Sequence, residues 1–155
     1  MKAIITQFYT AFSELNPEKM TSSYHKDVVF EDPAFGQLEG KRASNMWRML
    51  CESQKEKNFI VTFSDIQSDD NTGSAYWEAK YEFSKTGRKV HNKIIAQFEF
   101  KDGLIIKHTD DFNLHSWAKQ ALGFKGYLFG RTSFFKKKLQ KQTNSLLDRF
   151  ENSLK

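Results

Sequence analysis

Between residues 75 and 112 the chain keeps a two-residue period broken only at two tight turns, and little except an antiparallel sheet can accommodate that. Ala75, Trp77, Ala79, Tyr81 and Phe83 fall on one side, with Glu78, Lys80 and Glu82 on the other. Such a strand has one apolar face and one wetted face. Thr86-Gly87 turns the chain, Val90 to Phe100 makes a long strand, and Asp102-Gly103 is a hairpin signal leading into Leu104 to Phe112. Strands joined by turns this short run antiparallel, because a parallel return needs a dozen residues or more. Phe59 to Ile66 alternates more loosely and is read as a further strand.

Elsewhere the period is helical. Ile5, Phe8, Phe12 and Leu15 recur at steps of three and four, one apolar stripe on an opening helix. Asn16-Pro17 restarts the chain as a helix cap followed by a first-turn proline, and a short helix runs to about Tyr24. Val28 to Phe30 is β-rich and ends in Glu31-Asp32-Pro33, where proline cannot continue a paired ladder. Gly36 and Gly40 bracket a second extended piece, after which Ala43, Met46, Trp47, Leu50 and Cys51 mark an amphipathic helix. Leu114 to Leu122 is helical up to Gly123, Gly126 to Phe135 is an apolar connector, and Phe135, Leu139, Leu146 and Phe150 form the stripe of a last helix. The predicted architecture is one α+β domain over residues 1–155.

Composition narrows the function classes. Fifteen phenylalanines in 155 residues suit a core or a cavity lined with rings. No apolar run is long enough to span a membrane, and Gln7 and Glu14 interrupt the N-terminal stretch, so it reads as a helix and not a signal peptide. A single Cys51 allows no internal disulfide, which makes the cytoplasm the expected compartment. The formal charge of +5 is concentrated late, at Lys136, Lys137, Lys138, Lys141 and Arg149. A nucleic-acid face would interleave cations with stacking aromatics on a sheet; here they sit on a terminal helix and read as its solvated face. The four histidines lack metal-ligand spacing, Cys51 lies on an apolar helical stripe, and no glycine-rich phosphate loop is present. No metal and no cofactor are expected.

The order helix, helix, strand, helix, meander, with Val29-Phe30-Glu31-Asp32-Pro33 closing the first strand and a helix after Gly40, resembles the nuclear transport factor 2-like superfamily. That superfamily includes ketosteroid isomerase, scytalone dehydratase and the SnoaL-like polyketide cyclases. The resemblance covers about residues 2 to 114, and residues 115–155 look like an extension found in a bacterial branch of isomerase-related proteins. It implies a cone-shaped half-barrel, a bent antiparallel sheet wrapped by N-terminal helices around a pocket. It fixes no single function, since enzymes and binding modules share the fold. In the isomerase pattern the general base falls on Asp32. The oxyanion tyrosine falls on Phe8, with Tyr9 one step round the helix, and the second aspartate falls on Ala96. With both donors gone, ketosteroid isomerisation by that route is not expected.

Strand parity selects the side chains that share the pocket. With Ala96 inward, so are Asn92, Ile94 and Phe98. Ile106, His108, Asp110 and Phe112 follow on the last strand, with Trp77, Ala79 and Tyr81 on the neighbouring one. Met46, Trp47 and Leu50 can reach in from the helix. The interior is thus apolar and aromatic apart from Asp32, Asn92, His108 and Asp110, the composition of a small-molecule site. Asp32, His108 and Asp110 are the candidate catalytic residues, a histidine with two carboxylates for general acid–base work. Asn92, Trp47, Trp77, Tyr81, Phe98 and Phe112 are the candidate ligand contacts. The competing reading has His108, Asp110 and Asn92 satisfying one another as a buried network, with Asp32 capping the turn at Pro33.

Residues 124–135 carry large apolar side chains between glycines and then lysines. They read as a lid over the cone or a dimer contact, in preference to attachment to an anionic membrane. Two functions follow. One is a cofactor-independent isomerase, lyase or hydrolase acting on a hydrophobic small molecule. The alternative is a non-catalytic ligand-binding or homodimeric interaction module without nucleic acid.

Overall fold

In chain order the strands are β1 (Tyr24–Asp32), β2 (Gly36–Glu39), β3 (Ile60–Ser68), β4 (Thr72–Phe83), β5 (Arg88–Lys101) and β6 (Leu104–Asp111). The helices are α1 (Lys2–Ser13), α2 (Pro17–Thr21), α3 (Gly40–Gln54), α4 (Leu114–Leu122), α5 (Phe124–Phe129) and α6 (Ser133–Ser153). The structure, a computed structural model, describes residues 1–155. Its strands form one sheet in the order β2-β1-β6-β5-β4-β3.

The meander is antiparallel from β3 to β6, as the alternation requires. β1 is antiparallel to β2 but lies parallel to β6, with Phe30 opposite His108 and Glu31 opposite Thr109. The sheet is therefore mixed, with one parallel ladder joining the β1–β2 pair to the antiparallel meander. The chain between β1 and β6 supplies the long connection that a parallel neighbour needs.

Local signals account for most of the boundaries. The Asn16 side chain accepts the Lys19 N–H at 3.1 Å with Pro17 in the first turn, the arrangement its sequence suggests. Asp102 and Gly103 both take positive φ, 53° and 74°, as a two-residue hairpin demands. In β3 the pairing shifts between Ser64 and Gln67, with Asp65 at φ 53°. This explains why its alternation looks loose in the sequence.

A second irregularity changes a face. Between Glu99 and Phe100 the β5–β6 register slips, so that Lys107 faces Glu99 while Ile105 faces Phe100. Ile106 is the extra residue, and Ile105 is the fully buried one. The parity that points Ile106 inward fails at this bulge, because one inserted residue flips every position beyond it.

Inside the sheet, α1 lays Ile5, Phe8, Tyr9 and Phe12 against Trp47, Trp77 and Phe98 in the main core. The expected connector after Gly123 is a short helix, α5, seated on α4. A Cβ at Gly126 would run into the backbone carbonyl of Ala118, so only glycine fits. Finally α6 returns across the open end. Its Leu147 is wholly buried in the main core, and Leu139 joins Val90, Trp117 and Ala118 in a smaller cluster.

Candidate functional site

The parallel β1–β6 pairing sets Asp32 and Asp110 on neighbouring strands, on the same inward face. Asp110 stands opposite Ala96 of β5, and Asn92, two inward positions further along, stands opposite Ala79 of β4. Around them the cone encloses a cavity of about 1010 Å³, most of whose lining is hydrophobic. Trp47, Trp77, Tyr81, Asn92 and Phe112 line it together with both carboxylates.

Asp32 is half-buried at the end of β1. Its Oδ1 accepts the N–H groups of Ala34 at 2.9 Å and Phe35 at 2.6 Å, the strand-end turn that its sequence position suggests. Oδ2 makes no such bond. Burial pushes the carboxyl up to about 7, the two backbone donors oppose that rise, and the negative charge of Asp110 adds to it. Both protonation states of Asp32 are thus populated near neutrality.

His108 has no exposed surface and does not line the cavity. Phe8, Phe30 and Phe98 press on the ring, and Trp47 stacks over it at 5.9 Å. Both nitrogens are engaged: Nδ1 with the Tyr24 hydroxyl at 2.7 Å, Nε2 with Asp110 Oδ1 at 2.9 Å. Because Trp47 Nε1 donates to the Tyr24 oxygen at 2.8 Å, the tyrosine proton points to Nδ1. The imidazole then donates from Nε2 to Asp110. Trp77 Nε1 donates to the same Oδ1 at 3.3 Å. Asp110, 4% exposed, keeps Oδ2 free of hydrogen bonds on the cavity side.

Several sequence expectations change accordingly. His108, expected among the cavity residues, is walled off from the cavity and meets it only through its hydrogen bond to Asp110. Asn92 lines the cavity but bonds to neither His108 nor Asp110, so it is an available polar group and not part of a closed network. Phe98 packs on Tyr9 and His108 in the core and contributes no cavity surface. Inward parity does not distinguish core from cavity, and α1 fills the half of the cone that Phe98 faces. Met46 and Leu50 of α3 do line the cavity. Tyr9, the near neighbour of the missing oxyanion tyrosine, is fully buried, and its hydroxyl is the one buried side-chain polar atom without a partner. It does not line the cavity either.

Two contributors have little local signal in the sequence. Tyr24 carries the link from Trp47 to His108, although nothing around it marks it out. The second is α6, which supplies cavity wall through Phe135, Lys138, Leu139, Leu146 and Phe150. It also grips the turn that holds Asp32. Gln140 donates to Pro33 O at 3.2 Å, Thr143 to Ala34 O at 2.9 Å and Asn144 to Phe35 O at 2.9 Å. Most of the wall across the open end of the cone comes from α6, while α5, within the segment read as a lid or a dimer contact, adds Lys125 and Phe129 and keeps its aromatic side chains largely exposed. No three His, Cys, Asp or Glu side chains gather in a metal-ligand cluster, and no helix is long and apolar enough to cross a membrane.

Solved structures share this frame. An LEH-like epoxide hydrolase from Mycobacterium tuberculosis superposes with a TM-score of 0.60 at 20% identity, covering 83% of this chain and 89% of that one. A Catenulispora acidiphila protein with a ketosteroid isomerase-like fold, solved with trimethylamine, gives 0.62 at 15% identity, covering 76% and 91%. An NTF2-like protein of unknown function from Burkholderia pseudomallei gives 0.65 at 12% identity, covering 77% and 95%. At these identities the likeness is one of fold. No curated protein matches the chain in sequence. The family pattern for the SnoaL-like domain matches residues 5–108, the span that builds the cone from α1 to β6, and the chain belongs to the SnoaL-like family of the nuclear transport factor 2-like superfamily.

Proposed function

We propose that the chain binds a mostly apolar small molecule inside the cone and moves a proton on it, with Asp32 as the group that carries the proton. The observation behind this reading is a carboxyl pushed to about 7 in an apolar cavity, with one oxygen pinned by backbone N–H groups and the other free. A general acid or base works best when its pKa lies near the working pH. Protonated Asp32 gives its proton to a ligand oxygen and is left a carboxylate. The carboxylate takes a proton back from a hydroxyl or a bound water. Asp110, oriented by His108 and Trp77, presents the second carboxyl, and Asn92 offers an amide to orient the ligand. That pairing suits dehydration or hydrolysis better than enolate chemistry, for which Phe8 and Ala96 supply no donors. The epoxide hydrolase among the structural neighbours is consistent with a hydrolytic version.

A binding module without catalysis is the second reading, supported by the sealing of His108. One experiment separates the two. Purified protein is offered apolar cyclic ketones, tertiary alcohols and epoxides, while a naphthalene-based fluorescent probe reports cavity binding. We expect turnover that Asp32→Asn and Asp110→Asn each reduce by about 100-fold or more, with probe binding retained. Ala79→Trp, which fills the cavity, should abolish both signals. Probe binding without turnover of any compound selects the binding module, and no binding in the cavity overturns both readings.

A further inference from the structure

Between Asp111 and Asp148 the chain contains no acidic residue, yet it carries Lys119, Lys125, Arg131, Lys136 to Lys138 and Lys141. These seven cations exceed the formal charge of the whole chain, +5. None of the seven pairs with a carboxylate. Among them stand five large apolar side chains that are half or more exposed: Phe124 at 73%, Tyr127 at 59%, Leu128 at 50%, Phe129 at 56% and Phe134 at 75%. Isolated exposed apolar residues need no explanation, but a run of them within eleven residues and rimmed by cations is the signature of a contact surface.

The two features share one place. Lys125, Phe129, Phe134 and Lys138 all line the mouth of the cavity. Phe124 stacks on Tyr127 at 6.5 Å, and Gly126 holds this tip against α4.

We propose that the α5 tip and the first turns of α6 dock on an anionic lipid surface, with the cavity mouth opening toward it. A second copy of the chain is a poor occupant. An isologous contact would bring this unpaired positive field against itself, with no carboxylate on the patch to answer it. A nucleic acid would use the cations but has no use for Leu128, and the aromatic side chains stand on a short helix rather than along a groove or strand platform. A bilayer uses both parts, taking the apolar side chains at the acyl boundary and the cations at the headgroups. The helices lie on such a surface and do not span it. The sequence pattern ranks membrane attachment below a lid or dimer contact; the exposures reverse that order.

Co-sedimentation of the full-length protein with phosphatidylcholine vesicles, with and without phosphatidylglycerol, tests the proposal. We expect binding to the anionic vesicles only, weakened by salt. Phe124→Ser with Tyr127→Ser, both outside the cavity lining, should lower partitioning by about tenfold for each ring removed from the interface, with the unfolding curve unchanged. Lys136→Ala and Lys137→Ala should each weaken it by about five-fold. Equal binding to neutral and anionic vesicles, or none to either, overturns the proposal. So does a concentration-dependent dimer that Phe124→Ser dissolves, or salt-sensitive binding to DNA that the aromatic variants leave intact. Probe binding in the cavity is read separately, so failure here leaves the reading of the cavity standing.

Discussion

The two ends of the cone obey opposite rules. At the inner end, Tyr24, Trp47, His108 and Asp110 are buried, and each polar atom joining them has its partner. At the outer end, α5 and the start of α6 leave Phe124, Phe129 and Phe134 in water beside unpaired lysines. The first arrangement maximises stability, because removing any member strands a buried partner. The second gives stability away, since exposed rings contribute little to folding. A surface of that kind keeps its free energy for contact with something else. The ligand cavity lies between the two, apolar like the inner end and open like the outer.

Substitution should expose the contrast most sharply at its extremes. His108→Ala leaves the Tyr24 hydroxyl and Asp110 without their partner and opens a hole among four rings. We expect it to cost about 3–5 kcal/mol in urea unfolding, whereas Phe134→Ala should cost less than about 0.5 kcal/mol. Comparable losses at the two positions would break the comparison.

Asp32 probes the middle ground through pH. Its folded carboxyl is raised to about 7, so the native state holds a proton that the unfolded chain releases near 4. Stability therefore falls as pH climbs between those values and is lower by a constant amount above them. Asp32→Asn keeps an acceptor for the Ala34 and Phe35 N–H groups without the charge. It should gain about 1–3 kcal/mol over wild type at pH 8 and almost nothing at pH 4, a difference that denaturation at the two pH values would read. An equal gain at both would mean that the carboxyl titrates normally.

A smaller effect marks the seam where the outer end joins the body. Arg42 of α3 meets Glu151 at 2.6 Å and Asp148 at 2.8 Å, and donates to the Asn144 side chain at 3.0 Å. Because this cluster is partly solvated, Arg42→Ala should cost about 1 kcal/mol. The loss should shrink in high salt, as thermal melting at two ionic strengths would show.

The sequence makes the meander legible because a two-residue period leaves few alternatives. The same parity brings Asp110, Asn92, Trp77 and Tyr81 to one cavity with Asp32. It stops at the bulge by Ile106, where apolar residues on both sides hide the inserted position. It also cannot tell that α1 fills half of the cone, which is why Phe98 and His108 face inward yet touch no cavity surface. The grip of Gln140, Thr143 and Asn144 on the turn after Asp32 spans more than a hundred residues of chain. No local pattern encodes a contact of that kind, because polar residues on a helix face look the same whether they meet water or a distant carbonyl.

The close approach of Gly126 to Ala118 is also a mechanical statement. α4 is fastened to the β4–β5 hairpin by Thr86, which donates to Ala121 O at 2.6 Å, by Arg88, which donates to Gln120 O at 2.8 Å, and by the His91 N–H, which donates to Gln120 Oε1 at 2.7 Å. With α5 seated backbone to backbone on α4, this joint is a weld and not a hinge, and the aromatic tip keeps a fixed pitch to the strands. The compliant jaw is the opposite one, where Phe134 and Leu146 of α6 rest against the mouth through exposed side chains. Widening the gape for a bulkier guest is thus a matter of trimming α6, and bulk added at position 126 would instead pry the tip off its mount.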